Sequence, residues 1–126
     1  MTHKLPVRVF YEDTDFAGIV YYANYLKFIE RGRSEWVRSI GVDQNAMKAD
    51  GMVFAVRRVE ADYLSPARFD DELIVTTDVM KIGGASLTVK QRVLRDEAVL
   101  FEAIVVVVAM DANGKPVRLP ANFRPE

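Results

Sequence analysis

The chain has no cysteine, one histidine and no apolar run longer than eight residues, the longest being Ala103 to Met110. Without cysteine there are no disulfides, no thiolate nucleophile and none of the usual zinc-finger spacings, which fits a reducing compartment. The one histidine, His3, falls in a stretch expected to be an exposed, mobile chain end, so a Ser-His-Asp or Cys-His device has no base. A membrane-spanning helix needs roughly 20 apolar residues, so the Ala103 to Met110 run reads as a buried strand covered on both faces. Charge of one sign is also missing: 17 Lys and Arg face 18 Asp and Glu, a formal net charge of -1, and no global field exists to hold nucleic acid or an anionic bilayer. Neither is expected as a partner. No EF-hand, His-Glu or phosphate-loop pattern occurs, so no metal and no cofactor are expected, and the chemistry left is that of carboxylates.

What is present is 126 residues, half of them apolar and 28% charged. That is the size and mixture of one globular core spanning 1–126. The opening Met-Thr-His-Lys-Leu-Pro-Val-Arg has no apolar stretch of signal-peptide length, so the cytoplasm is the expected compartment.

Val7 to Tyr11 alternate as a short strand that ends in Glu12-Asp13-Thr14-Asp15. From about Tyr22 to Ile40, the residues Tyr25, Leu26, Phe28, Ile29, Trp36, Val37 and Ile40 make the stripe of one long helix, with Gly41 as its stop. Gly32 lies on that stripe, where an unneeded glycine would cost about 1 kcal/mol, so a close approach to another backbone is expected there. Phe54 and Val56 then alternate, and the phase slips to Val59, Ala61 and Tyr63 after Arg57-Arg58, which predicts a bulge. Ser65-Pro66-Ala67 breaks that strand. Leu73 to Ile82, a Gly83-Gly84 turn and the alternation through Leu87, Val89 and Val93 predict a hairpin. Arg95-Asp96-Glu97 turns the chain into the strand Val99 to Met110, and Lys115 to Glu126, with three prolines, reads as an irregular or edge segment. The sum is α+β, an antiparallel sheet wrapped on one helix, with open edges that a second copy is expected to cover.

The densest constellation is Tyr11-Glu12-Asp13-Thr14-Asp15-Phe16-Ala17-Gly18-Ile19-Val20-Tyr21-Tyr22-Ala23-Asn24-Tyr25. Two carboxylates two residues apart lie just before a helix whose first N–H groups are free. On residue types alone, Asp13 and Asp15 fold a turn and cap the helix, or one of them attacks a carbonyl or activates water while helix N–H groups receive an oxyanion.

This run, continued by Glu30-Arg31 and Arg33, resembles the signature of hotdog-fold acyl-CoA thioesterases. It is most similar to their Tol-Pal-associated, YbgC-type branch, with the 4-hydroxybenzoyl-CoA thioesterases as nearest relatives. Phe54-Ala-Val-Arg-Arg58, Tyr63-x-x-Pro-Ala-Arg-x-Asp-Asp71, Ser86-Leu87 with Gln91-Arg92, and Arg118-x-Pro120 extend the resemblance over almost the whole chain. It implies the hotdog fold, one long helix wrapped by a curved antiparallel sheet, and hydrolysis of acyl-CoA to free acid and CoA.

The resemblance makes Asp15 the catalytic carboxylate, as nucleophile or general base, and the Tyr22 N–H the oxyanion contact. It implies substrate contacts at Gly18, Val20, Arg58, Ser86 and Arg118, and a loop-fixing role for Asp13. Tyr22 stands where many YbgC-type sequences have His; it matches the hydroxybenzoyl relatives instead, so no imidazole role carries over. Glu30 is a candidate for positioning substrate across a subunit interface, although a mid-helix Glu is more often a surface residue. Arg57, Arg58, Lys90, Arg92 and Arg118 offer guanidinium or ammonium groups for CoA phosphates, against the alternative of solvated strand charges. Trp36 reads as core, and Asp70-Asp71-Glu72 as a solvated turn. The implied partners are acyl-CoA, with an acyl carrier protein as a possible thioester donor, and further copies of the chain as a dimer or homotetramer. The alternative is a non-catalytic acyl-thioester-binding hotdog module in which Asp15 is structural; a dehydratase would need a His base.

Overall fold

Tyr25, Phe28, Ile29, Gly32 and Val37 recur at helical spacing, and they are the residues that the helix Asn24–Ser39 (α1) buries in the computed structural model, which describes residues 2–124. Gly41, at φ +87°, ends the helix: its N–H reaches the Arg38 carbonyl at 3.1 Å and the Val42 N–H reaches Val37 at 3.2 Å. This left-handed closure satisfies two carbonyls that a helix end leaves free. A second, short helix follows at Gln44–Ala49 (α2). The Asp43 carboxylate starts it by accepting the N–H groups of Asn45 and Ala46 at 2.9 and 3.1 Å, a capping residue in the sequence that was not read as one.

Among the described residues five strands follow the expected count: His3–Arg8 (β1), Met52–Tyr63 (β2), Glu72–Ile82 (β3), Ser86–Arg95 (β4) and Ala98–Asp111 (β5). They form one antiparallel sheet in the order β1-β3-β4-β5-β2, with α1 lying against β1, β3 and β4. The resulting α+β architecture, a curved sheet around a long helix, is the one expected. The inner row is Leu87, Val89, Gln91 and Val93 of β4 with Phe101, Ala103, Val105, Val107 and Ala109 of β5, all buried. Full burial of each large apolar side chain in this row contributes about 1.5–3 kcal/mol. The predicted bulge falls between Val56 and Arg58, and the predicted hairpin joins β3 to β4.

Several expectations change. The first strand starts at His3 and ends at Arg8, while Tyr11 opens a 3₁₀ turn, Tyr11–Asp13. Pro6 is accepted because β1 is an edge strand. His3 is accordingly no mobile tail residue: it pairs with Thr77, is half-buried, and its buried Nδ1 has no hydrogen-bond partner among the described residues. The apolar strand β5 is covered on one face only, because α1 fills one side of the sheet and Ile104, Val106, Val108 and Met110 on the other remain half-exposed. Gly32 is indeed at a close approach, to side chains of the sheet in place of backbone: a Cβ there would stand 2.6 Å from Val75 Cγ1 and 3.3 Å from Gln91 Nε2. Leu26 is exposed, and Trp36 is half-buried with its ring edge-on to Phe123 at 5.6 Å. Met1 and the last two residues of the proline-containing tail, 125–126, lie outside the described residues. No helix among the described residues is long and apolar enough to cross a membrane.

Candidate active site

The carboxylate loop between β1 and α1 is built by Asp13. Its Oδ2 accepts the Phe10 N–H at 2.8 Å, and its carbonyl accepts the Tyr21 N–H at 2.9 Å and the Asn24 side-chain amide at 2.9 Å. One buried residue thus ties together both ends of the loop and the first residue of α1. Between these anchors residues 14–20 make a small hairpin, with Thr14 bridged to Val20. Asp15 opens its turn: the Asp15 N–H donates to Ile19 O at 2.9 Å, and Gly18, at φ +78°, donates to Asp15 O at 3.0 Å. Only glycine adopts that φ without strain, which is the local reason for Gly18. Asp15 Oδ1 accepts the Ala17 N–H at 2.9 Å, and Oδ2 receives no donor among the described residues.

Neither carboxylate caps α1. The capping position is Ala23, whose side chain offers no acceptor, and the N–H groups of Tyr22 and Ala23 reach no acceptor among the described residues. A capping residue is strongly preferred at such a position, so the helix starts with unused donors beside a carboxylate.

The second wall comes from the end of β2 and the segment after it. Leu64 and Ser65 N–H groups bond Leu100 O at 2.9 and 3.1 Å, and Ala67 N–H bonds the Tyr25 hydroxyl at 3.0 Å. Val20 N–H crosses to Ala67 O at 2.8 Å and closes the two loops on each other. Asp71 braces the segment by accepting from Arg68 N–H and from the Arg95 guanidinium, both at 2.8 Å, so it is half-buried and more than a solvated turn. Between the walls lies a cavity of ≈ 360 Å³ lined by Asp15, Val20, Tyr22, Tyr25, Tyr63 and Pro66, among others. The Tyr25 ring stacks on Phe101 at 4.9 Å, and Tyr63 meets Tyr25 edge-on at 5.5 Å. Burial pushes the Tyr25 phenol above its ordinary value, partly offset by the Ala67 N–H bond.

The structure therefore brings Asp15, Val20 and Tyr22 to one cavity, with Gly18 in the turn behind them. It does not bring the other expected contacts there. Ser86 pairs with Val108, whereas Tyr63 pairs with Phe101, a separation of about 23 Å along β5 at 3.3 Å per residue. Arg118 is exposed near the same turn, next to Leu119, which bonds Gly84 O at 2.9 Å. Arg58 is ion-paired with Glu60 at 2.6 Å on the outer face of β2, and Lys90 and Arg92 share Glu102 at 3.5 and 2.7 Å. Glu30 is exposed and accepts from Ser34 Oγ at 2.7 Å, at the rim of a second cavity of ≈ 220 Å³ beside Arg33, Trp36 and Phe54. Tyr25, Tyr63, Leu64 and Pro66 were not singled out as site residues; the signal was Tyr63 ending a strand just before a proline break.

A sheet curled on one long helix, with the Asp15 carboxylate and Tyr22 lining one cavity, offers the groups that acyl-transfer hydrolysis needs. Residues 9–126 match the family described as Thioesterase-like superfamily, so the chain belongs to it and is a thioester-hydrolysing enzyme. It is 42% identical over 122 residues to acyl-CoA thioester hydrolase YbgC of Escherichia coli O6:H1, covering 95% of this chain and 91% of that one. It is 40% identical over 123 residues to acyl-CoA thioesterase YbgC of Haemophilus influenzae, covering 96% and 90%. Among solved structures, a probable thioesterase from Bartonella henselae superposes with a TM-score of 0.91 at 38% identity, over 95% of this chain and all of that one.

Proposed function

We propose that the chain hydrolyses the thioester bond of acyl-CoA, with Asp15 as the catalytic carboxylate and the Tyr22 N–H, just before α1, as the oxyanion contact. The observation that carries this reading is the undonated Asp15 Oδ2 and Tyr22, whose N–H is unused, lining one cavity. Donors fixed in advance toward a developing oxyanion lower the barrier because nothing must reorganise during reaction. Asp15 either attacks the carbonyl carbon, expelling CoA as thiolate and leaving a mixed anhydride that water opens, or takes a proton from the attacking water. Solvent oxygen-18 entering Asp15 in a single turnover marks the first route; label in the product acid alone opposes it.

A second copy completes this site in our reading. β2 is a sheet edge whose residues from Val56 to Tyr63 are all exposed, including the inner-face Val56 and Val59. Arg58, Ser86 and Arg118 are too distant within one chain, and they serve the substrate only if another copy supplies them.

The test is thiol release from acetyl-, decanoyl- and benzoyl-CoA by the wild type and Asp15→Asn. The chain has no cysteine, so a thiol reagent gives no protein background. Asparagine still accepts the Ala17 N–H, so the turn survives while the rate falls about 10²–10⁴-fold. Binding of all three thioesters without thiol release would make the chain a binding module.

A further inference from the structure

The Tyr22 carbonyl is left over by the helix. The Asn24 N–H turns back to Tyr21 at 2.8 Å and the Leu26 N–H to Ala23 at 3.2 Å, and neither reaches it. Its donor is a side chain 41 residues away: the Tyr63 hydroxyl, at 3.0 Å. We propose that Tyr63 is a positioning residue for hydrolysis, its hydroxyl locking the Tyr22–Ala23 peptide so that the free Tyr22 N–H on its near side points at the reacting carbonyl.

The carbonyl it holds is bonded to the Tyr22 Cα, so fixing the oxygen restricts rotation about the Tyr22 backbone and with it the direction of the Tyr22 N–H. The phenol is itself held: its ring meets Phe101 at 5.0 Å, Tyr25 at 5.5 Å and Tyr22 at 6.1 Å, all near edge-on. Burial, together with the neighbouring Tyr22 and Tyr25 phenols, pushes the Tyr63 phenol above its ordinary value, so it stays a donor at neutral pH. Tyr63 ends a strand that pairs with β5 along its length, whereas α1 begins without a side-chain cap.

This inference rests on the thioesterase reading, and the experiment separates the two. Tyr63→Phe keeps the ring and its packing and removes only the hydroxyl. With benzoyl-CoA and decanoyl-CoA, kcat is expected to fall about tenfold, equivalent to about 1.4 kcal/mol, while KM changes less than about twofold. In ¹⁵N spectra the amide signals of Tyr22 and Ala23 move, and those of the α1 interior stay in place. An unchanged kcat, a rise in KM alone, or a melting temperature lower by more than about 5 °C, the sign of a structural role, each overturns the proposal. If the wild type releases no thiol, the hydrolase reading fails by itself, and unmoved Tyr22 and Ala23 signals would still overturn the positioning bond.

Discussion

Two clusters of polar groups meet α1, one beneath its middle and one at its first turn, and they differ in how completely the protein satisfies them. Beneath the middle, the fully buried Gln91 donates from Nε2 to Ile29 O at 2.8 Å and to Thr77 Oγ1 at 2.9 Å, and accepts from Arg33 at 3.0 Å. Burial lowers the Arg33 pKa, with Glu30 partly opposing, and no carboxylate lies within ion-pair reach among the described residues. The amide has one orientation that serves all three partners. At the first turn the reverse holds: Asp15 keeps an oxygen undonated and two backbone N–H groups stay unused. A satisfied cluster fixes the packing of helix on sheet. An unsatisfied one beside a cavity is where a substrate finds partners.

The contrast breaks most clearly at its two centres. Asp15→Asn is expected to remove most activity, the about 10²–10⁴-fold loss given above, with the melting temperature little changed. Gln91→Leu should do the opposite. It strands Thr77 Oγ1 and the half-buried guanidinium, at a cost of about 2–3 kcal/mol in denaturant unfolding, while kcat per folded molecule holds. A Gln91→Leu chain as stable as wild type would show that the buried amide does not fix the helix.

Gly32 sharpens the same point with a smaller effect. Alanine would gain about 1 kcal/mol of helix propensity, but its methyl would have to displace Val75 Cγ1 from 2.6 Å, and overpacking typically costs about 1–3 kcal/mol. Calorimetry on Gly32→Ala should show a melting temperature lower by about 4 °C. A higher one would mean that the helix rides up without loss, and that the seam is looser than its distances imply.

What was legible in the sequence was local. The catalytic candidate, its turn glycine, Val20 and the start of α1 lie within one short stretch, so their spacing alone brings them together. Gly32 and the Arg57 bulge were legible because each breaks a period that packing would otherwise keep. Tyr63 was not, because its role depends on a contact across 41 residues that no periodicity records. His3 and β1 were misplaced because a chain end looks mobile until a strand elsewhere pairs with it, as β3 does. The outer face of β5 looked buried because composition reports that a surface is apolar without saying what covers it.

Asp71 tests whether the satisfied class extends to the wall of the site. Partial burial alone would raise its carboxyl pKa, but the bonds from Arg68 N–H and the Arg95 guanidinium outweigh that and hold it below the ordinary carboxylate value. A carboxylate depressed in the folded state stabilises the protein fully above its unfolded pKa, about 3.9, and loses that contribution as pH falls through the folded value. Acid should therefore loosen the 64–71 segment in the range below about pH 4. Arg68 N–H and the Arg95 guanidinium share Oδ2, so Asp71→Asn keeps an oxygen for both but removes the charge that pairs with Arg95, and the variant should be less stable at neutral pH by about 1 kcal/mol or less. The difference from wild type should close as pH is lowered, when both carry a neutral side chain at that position. Melting curves from pH 7 to pH 2.5 read this directly. Parallel curves that never converge would mean that the Arg95 bond contributes nothing in solution, and that the backbone bonds at Ser65, Ala67 and Val20 alone hold the wall against Asp15.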